Sequence, residues 1–320
     1  MKEYIWGIDI GGTNTVCGLV DTKGNVLKEC SFKTRDFDNP KDFVNHLSSN
    51  AKKTMDLLNP DEKVIGVGVG APNGNYYTGN IEFAPNLTWE GIVPLAQMIE
   101  QAFNLPVKLT NDANAAALGE AYFGGAKGLS DFIMITIGTG LGSAFVANHN
   151  LIYGHDGFAG EMGHMNAIPD GRQCSCGLKG CLEEYVSSRG IIQTMNELIQ
   201  QASKKDQDFW NDKTLDTITI YEEAIKSNPL AAMTFEITGT ILGINLARVV
   251  TITSPSHIFL FGGIVKAGDL LLKPAIENMN KNLLPIFRDK VKIEISQLQD
   301  KNAAILGAAA LMLNDLKGKK

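Results

Sequence analysis

One short segment of the chain concentrates side chains that bind soft metal ions. Three of the five cysteines lie within eight residues, at Cys174, Cys176 and Cys181, and His164 precedes the first of them by ten positions. A set of one histidine and three cysteines is a common closed ligand set for Zn²⁺, which takes four nitrogen or sulfur ligands in a tetrahedron. The segment therefore predicts a structural zinc site made by these four residues.

Disulfides or free core thiols are the alternative for these cysteines. Cys174 and Cys176 are too close in sequence for an easy mutual bridge, and an odd cysteine would remain. We therefore favour the metal. The other two cysteines, Cys17 and Cys30, lie in apolar, strand-like stretches, and we interpret them as small buried hydrophobic residues.

A glycine turn follows the first predicted strand, where residues 9–14 read DIGGTN. The backbone N–H groups of its glycines, among them Gly12, can cradle a phosphate, and the Thr13 hydroxyl can add a hydrogen bond. Asp9, at the strand end, could hold Mg²⁺ or orient a phosphate, because hard cations prefer oxygen ligands. A hairpin turn that simply requires glycine is the alternative.

Two more glycine motifs follow strand-like runs. Residues 138–142, GTGLG, could form a second phosphate loop, although the strand-like run after them does not match a dinucleotide fingerprint. Gly262 and Gly263 could let a nucleoside lie against the backbone, and a plain strand-to-helix turn is an equally good interpretation.

Several polar side chains lie where elements meet. Asp112, between a strand and a helix, could cap that helix or act as a general base toward a substrate hydroxyl. Glu161, Glu183, Asn111 and Asn86 are of the types that bind sugar hydroxyls. Solvated surface groups are the alternative for these four.

Strands alternate with helices along the whole chain, which predicts an α/β class. We predict strands over Tyr4–Ile10, Thr15–Val20, Val64–Gly70, Val107–Thr110, Phe132–Ile137, Ser143–Ala147, Ile258–Phe261 and Lys292–Ser296. We predict helices over Asp42–Leu58, Ile92–Phe103, Ala113–Ala121, Arg189–Ala202, Leu230–Val250, Asp269–Leu283 and Asn302–Leu316. The polar stretch Lys204–Asp216 is predicted to be a surface connection.

A weak internal repeat relates residues 8–13 to residues 135–140. In both, an apolar strand runs into a glycine turn and a second strand follows. The repeat predicts two related halves, each presenting a glycine hairpin toward a common cleft.

Length, charge and the distribution of apolar residues limit the classes of protein to which this chain can belong. A length of 320 residues is enough for two domains, and a net charge of −6 argues against nucleic acid or an anionic membrane as a main partner. No apolar run reaches the length of a membrane span, and the chain leads directly into a strand with no leader peptide. With no disulfide pattern either, a cytoplasmic location is expected.

Taken together, these motifs resemble the ROK family of sugar kinases and sugar-responsive repressors over nearly the whole chain. The matching parts are residues 9–14, 111–114, 138–142, 161–164 and the cysteine segment that ends in Glu183. The resemblance implies an actin-like, hexokinase-type (ribonuclease H-like) fold of two α/β domains with a central cleft. It places a small domain at residues 1–112, completed by the C-terminal helix 302–320, and a large domain with the zinc site at residues 113–301.

The resemblance also implies roles, position by position. Asp112 is then the catalytic base, and Asn86, Asn111, Glu161, His164 and Glu183 are sugar contacts. His164 would use one ring nitrogen for zinc and the other for a sugar hydroxyl. Gly12, Thr13, Thr139 and Gly140 are then phosphate-binding residues, with Asp9, Gly262 and Gly263 also on the ATP and Mg²⁺ side.

The expected activity is ATP-dependent phosphorylation of a hexose at its 6-hydroxyl, most readily glucose. The alternatives are a kinase for fructose, mannose or an N-acetylated hexosamine, and a non-catalytic sugar sensor. Only three residues precede the first predicted strand, so we do not expect the DNA-binding segment of the repressors. By the same resemblance, we expect a homo-oligomer, a dimer or a tetramer.

Overall fold

Twelve strands and ten α-helices alternate in the computed structural model, which describes residues 2–299 and 302–318. The strands are β1 (Lys2–Ile10), β2 (Asn14–Asp21), β3 (Val26–Lys33), β4 (Glu62–Gly70), β5 (Ile81–Glu82), β6 (Ile92–Val93), β7 (Val107–Thr110), β8 (Phe132–Ile137), β9 (Leu141–Ala147), β10 (Asn150–Leu151), β11 (His257–Phe261) and β12 (Lys292–Ile295). The helices are α1 (Pro40–Met55), α2 (Leu95–Phe103), α3 (Asp112–Phe123), α4 (Glu183–Val186), α5 (Ser188–Gln201), α6 (Lys204–Asn211), α7 (Thr217–Ile225), α8 (Pro229–Thr253), α9 (Asp269–Asn282) and α10 (Ala303–Gly318). Short 3₁₀ turns lie at Thr34–Asp36, Met162–His164, Gly263–Ala267 and Pro285–Phe287.

The described residues form two compact units. Unit 1 comprises Met1–Ser130, Ala144–Ala159 and Ser296–Lys320, and unit 2 comprises Asp131–Ser143 and Gly160–Ile295. The domain bounds expected from the sequence, 1–112 with 302–320 and 113–301, stay a prediction.

A five-stranded sheet with the order β3-β2-β1-β4-β7 organises unit 1. β1, β2 and β3 pair antiparallel, while β4 and β7 join in parallel. Side chains alternate across a strand, so Trp6 and Ile8 pack with Val69 in a buried cluster that includes Phe43 of α1 and Leu95 of α2. The opposite face carries glycines.

Those glycines let the last helix lie directly on the sheet. A Cβ on Gly7 would overlap the carbonyl oxygen of Ile305, and one on Gly68 would overlap that of Ala308. Both carbonyls belong to α10, so its backbone contacts β1 and β4 without intervening side chains. Gly307 of α10 approaches the carbonyl of Ala115 on α3 in the same way.

The second sheet has the order β10-β9-β8-β11-β12. β8, β11 and β12 run parallel, and β9 and β10 form an antiparallel pair. The strand order is the same as in the first sheet, as expected for the two related halves that the repeat predicted; the common cleft stays a prediction. In unit 2, α8 and α9 pack closely because a Cβ on Gly243 would overlap the carbonyl oxygen of Ala275.

Two sequence predictions about elements were wrong in part, and the strand β3 was missed. Lys204–Asp216 is not a plain connection, because α6 occupies most of it, capped by the Ser203 side chain and anchored by the buried Trp210. The helix predicted to start at Ile92 starts at Leu95, after the short strand β6. β3 was not predicted, since its outward residues are charged and mask the alternation.

Cys17 and Cys30 are not separate buried thiols, as the sequence analysis expected, but form a disulfide. They face each other as register partners on the antiparallel strands β2 and β3, with their Cα atoms 5.1 Å apart. That spacing falls in the range that a disulfide requires. The register of β3 could not be known before the strand itself was found.

The sequence was expected to contain no apolar run of membrane-spanning length, but one helix among the described residues, α8, is long and apolar enough by length and composition alone. Buried residues make up 56% of its most apolar window. It also packs along α9. Burial of this kind is the behaviour of a core helix.

The glycine face of β4 generates a stability prediction. Gly68→Ala should lower the free energy of unfolding by about 1–3 kcal/mol, because the added methyl meets backbone of α10 that cannot rotate away. Gly66→Ala is the matched control on the same face of the same strand. Its methyl meets only the flexible Met312 side chain, at 2.9 Å. Thermal unfolding of both variants tests this, and equal losses would contradict it.

Candidate functional site

The carboxyl ends of three parallel strands meet at one edge of the unit 1 sheet. Asp9 of β1 is the register partner of Gly70 of β4, which is in turn the partner of Thr110 of β7. A Cβ on Gly70 would lie 3.3 Å from Oδ1 of Asp9 and 3.9 Å from the Cα of Asp112. The edge therefore brings Asp9 and Asp112 together.

Asn111 and Asp112 have different roles at the start of α3. The Asn111 side chain caps the helix, since its Oδ1 accepts the N–H of Asn114 at 2.7 Å. Asp112 is the first helical residue, and its Oδ1 accepts the N–H of Ala113 at 2.9 Å. The capping role that was one alternative for Asp112 thus belongs to Asn111.

The pKa values of both carboxyl groups are raised. Asp112 retains solvent-exposed surface, yet protein atoms crowd its carboxylate, and this burial raises its pKa against the opposing effect of the Ala113 N–H. Burial also raises the pKa of Asp9 from 3.8 to about 7, and the charge of Asp112 adds to the rise. Among the described residues no cation pairs with either group. A divalent cation would relieve their repulsion, and carboxylate oxygens are suitable ligands for Mg²⁺.

The first glycine turn joins β1 to β2 just beyond Asp9. It is closed by the N–H of Gly11, which donates to the carbonyl of Asn14 at 2.9 Å. A Cβ on Gly12 would overlap the carbonyl oxygen of Asn86, so this close approach by itself requires glycine. The contact also places Asn86 beside the turn. Thr13 is exposed and can donate its hydroxyl to a ligand.

Unit 2 carries the four expected metal ligands as one cluster. The ligand atoms of His164, Cys174, Cys176 and Cys181 all lie within 4.8 Å of one another. Nδ1 of His164 is 3.8 Å from Sγ of Cys174, and the Sγ atoms of Cys176 and Cys181 are 3.6 Å apart. Ligands at about 2.3 Å from a tetrahedral ion are separated by roughly 3.7 Å. The donor set and its spacing therefore fit zinc, and the three cysteines form no disulfide.

Arg172 fastens the loop that carries the first cysteine, a role that the sequence analysis missed. Its Nε and Nη2 donate to the two carboxylate oxygens of Glu197 at 3.0 and 2.6 Å. Its Nη1 donates to the carbonyl oxygens of Glu184 and Gly190. The loop before Cys174 is thereby held on α4 and α5. No motif marks Arg172, because its partners lie 12 to 25 residues away.

Glu183 links the metal cluster to the second glycine loop. It is buried, at 7% exposure, which excludes a solvated surface role. Its Oε1 accepts from Sγ of Cys174 and Nη2 of Arg189, each at 3.3 Å, and Oε2 accepts from the N–H of Leu141 at 3.4 Å. The cluster and the loop at residues 138–142 are therefore connected through one carboxylate.

The second glycine loop has exposed residues where a ligand could bind. Thr139 is exposed, and a Cβ on Gly140 would lie 2.8 Å from Oε2 of Glu183. Ser188 holds the loop from α5, since its N–H and hydroxyl both donate to the carbonyl of Gly138, at 2.8 and 2.9 Å. The exposed Glu161 lies one residue before the 3₁₀ turn that ends at His164.

Gly262 and Gly263 differ in whether the surrounding backbone leaves room for a side chain. Gly262 has a φ of 115°, and a Cβ there would overlap the carbonyl oxygen of Ile137. Backbone geometry alone therefore accounts for glycine at 262, as the plain-turn alternative held. A Cβ on Gly263 would meet no atom within 4 Å, which leaves its backbone open to a ligand.

The cysteine cluster predicts one bound zinc per chain. Cys176→Ala should remove most of the metal because three ligands hold zinc far less tightly than four. Ser175→Ala, an exposed neighbour that is no ligand, should keep it. Elemental analysis after zinc loading and dialysis makes the comparison. Equal zinc contents in the two variants, or none in the wild type, would contradict the site.

The raised pKa of Asp9 predicts a pH-dependent stability. In the unfolded chain this carboxyl ionises near 3.8, whereas in the folded protein it ionises at about 7. The folded state therefore loses stability as the pH rises through that window, and above it the loss is complete. Asp9→Asn should raise the melting temperature at pH 8 by a few degrees, with the gain shrinking toward pH 5. Thermal unfolding without Mg²⁺ tests this; a variant destabilised equally at both pH values would refute it.

Comparisons with known proteins point to one family. The model of the ROK family matches residues 5–315. The chain is 32% identical to the glucokinase of Halalkalibacterium halodurans, over 96% of this chain and 94% of that one. It is 30% identical to a putative xylose repressor of a Caldicellulosiruptor species, over 98% of this chain and 78% of the repressor.

A solved structure shows the same fold. The ROK family glucokinase of Streptomyces griseus, in complex with glucose and AMPPNP, superposes with a TM-score of 0.79 at 31% identity, covering 96% of this chain and 98% of that one. The actin-like, hexokinase-type fold expected from the sequence is thus confirmed. With nearly its whole length matched by the family model, the chain belongs to the ROK family.

Proposed function

We propose that the protein transfers the γ-phosphoryl group of ATP to the 6-hydroxyl of a hexose, most readily glucose. Two observations outside the site support this: the similarity to glucokinases over nearly the whole chain, and the likeness to a glucokinase solved with glucose and an ATP analogue. The observation that carries the proposal is the carboxylate of Asp112.

Asp112 has the properties of a general base. Its Oδ1 is held by the Ala113 N–H, which orients the group, and among the described residues no cation neutralises it. Burial raises its pKa. A base with a raised pKa binds a proton more strongly, which favours removal of a hydroxyl proton at neutral pH. Asp112 would accept the proton of the 6-hydroxyl while that oxygen bonds to the γ-phosphorus and the bond to the ADP oxygen breaks.

Asp9 would hold Mg²⁺, which when bound neutralises charge on the phosphates. Its partly buried carboxylate beside a second carboxylate suits a cation, as described above. Backbone N–H groups and hydroxyls at Gly12, Thr13, Thr139 and Gly140 would bind the phosphate oxygens. Such transfers depend mainly on positioning and on electrostatic stabilisation. Gly262 and Gly263 would lie against the nucleoside.

The sugar would be held by Asn86, Asn111, Glu161, His164 and Glu183. Asn111 uses its Oδ1 for the helix cap, which leaves the amide N–H groups as donors. The Glu183 carboxylate is oriented by hydrogen bonds from the Arg189 side chain and the Leu141 N–H before any sugar binds. Zinc would be structural, because four protein ligands leave no open position for a water.

Three further features belong to the same proposal. The protein acts in the cytoplasm, where ATP and hexoses are available; these substrates support the location, whereas the Cys17–Cys30 disulfide removes the argument from unpaired cysteines. It assembles from two or four copies of the chain. Its domains have the bounds 1–112 with 302–320, and 113–301.

A sugar-responsive regulator is the second candidate, favoured by the similarity to a xylose repressor. Such a protein would bind the sugar without consuming ATP. A panel of glucose, fructose, mannose, N-acetylglucosamine, N-acetylmannosamine and xylose, with ADP release and binding heat measured for each, separates the candidates. A kinase releases ADP with at least one hexose, whereas a regulator shows binding heat alone.

Replacement of the base is the sharpest test of the mechanism. Asp112→Asn should lower kcat by about 10²–10⁴, because shape is kept and the proton acceptor is lost. The dissociation constant for glucose should change less than threefold. Asp269→Asn is the matched control, since Asp269 is likewise the first residue of a helix, α9, but forms an ion pair with Lys273. Asp112→Asn with near wild-type turnover would remove Asp112 from the role.

A further inference from the structure

The 3₁₀ turn after β3 lies directly against the first glycine turn in unit 1. The N–H of Thr34 donates to the carbonyl of Thr13 at 2.9 Å, and the buried hydroxyls of Thr15 and Thr34 are 2.9 Å apart. Nε of Arg35 donates to the carbonyl of Gly12 at 3.2 Å. These contacts fix the position of Arg35 relative to the turn.

The guanidinium of Arg35 is only partly used by the protein. An arginine has five N–H donors, and the described contacts of Arg35 engage one, that on Nε. The side chain is exposed, and no carboxylate within the described ranges forms an ion pair with it. Both Nη groups therefore remain available next to Gly12 and Thr13.

A positively charged side chain would stabilise a phosphate bound at this turn. Its other donors are neutral backbone N–H groups and the Thr13 hydroxyl, and the carboxylate of Asp9 lies at the end of the strand that leads into it. A triphosphate would meet repulsion from Asp9, which the proposed Mg²⁺ and a second positive charge at the turn would offset together. Arginine suits this task because its planar fork of donors matches two phosphate oxygens at once.

From this geometry we infer that Arg35 is a phosphate-binding residue of the nucleotide site, with its Nε on Gly12 and its Nη groups on the phosphate chain. The inference rests on the proposed kinase function and adds to it a residue that no motif marks. Arg35 would serve both to brace the glycine turn and to supply charge.

Calorimetric titration of the whole protein with ADP and with adenosine tests this. Arg35→Gln should weaken ADP binding by roughly tenfold, the size expected for hydrogen bonds to a charged group, and leave adenosine binding within twofold. Arg35→Lys should recover part of the ADP affinity by restoring the charge. Lys33→Ala, which removes an exposed positive charge two residues away, is the matched control and should bind ADP within twofold of the wild type.

The dependence of ADP affinity on ionic strength distinguishes an electrostatic role of Arg35 from a purely structural role in holding the glycine turn. ADP affinity of the wild type should fall as ionic strength rises, because screening weakens an exposed charge interaction, and Arg35→Gln should reduce that slope. Circular dichroism melting confirms that each variant is folded. An unchanged ADP affinity, a slope equal to the wild type, or an equal loss of adenosine binding would overturn the inference.

The outcome also distinguishes this inference from the proposed function. Wild-type phosphoryl transfer with unaltered ADP binding in Arg35→Gln defeats the role of Arg35 alone. A wild type that binds neither ADP nor adenosine defeats both.

Discussion

The parallel register of β1, β4 and β7 determines where the chemistry of unit 1 is placed. It sets Asp9, Gly70 and Thr110 side by side at one sheet edge, and α3 begins two residues after Thr110. Because Gly70 has no side chain, the Asp9 carboxylate and the first turn of α3 approach each other across it. The raised pKa of both aspartates follows from this crowding. A side chain at position 70 would separate the two groups on which the proposed mechanism depends.

In unit 2 the comparable constraint is a chain of contacts rather than a strand edge. The cysteine cluster is joined through Cys174 to Glu183, and Glu183 is joined to the N–H of Leu141 in the second glycine loop. Arg172 holds the cluster on α5 from the other side. A thiol that binds zinc loses its proton, so metal binding would remove the hydrogen bond that Cys174 donates to Glu183 and would alter the contact that reaches the loop. This arrangement gives the proposed structural zinc a reason to lie close to the residues that we propose bind the ligands.

Sequence reasoning succeeded where a strong local pattern decides the structure. The apolar runs of β7 and β8 have the predicted bounds to the residue, and the repeated glycine motifs correspond to two sheets of the same strand order. The four candidate metal ligands, which the structure brings together in one cluster, were also identified by spacing, because three lie in one tight loop. In each case the information lies in short stretches of sequence, the longest being the 18 residues from His164 to Cys181.

The features that the sequence did not reveal depend on distant partners. The Cys17–Cys30 disulfide needs the register of β3, whose charged residues conceal it. Glu183 interacts with Leu141 over 42 positions, and Arg35 with Gly12 over 23. Either Asn111 or Asp112 could have capped α3, since both are good capping residues. The structure shows that Asn111 does so. Site roles such as those of Asn86 and Glu161 stay predictions, since they concern ligands.

The proposed reaction makes a phosphomonoester at the 6-position of a hexose. Phosphorus NMR of the purified, zinc-loaded protein with Mg²⁺, ATP and glucose detects it, because the spectrum identifies both products. We expect the γ-phosphate signal of ATP to disappear while ADP and glucose 6-phosphate appear in equal amounts. An unchanged ATP spectrum, in a sample shown by calorimetry to bind glucose, would contradict it.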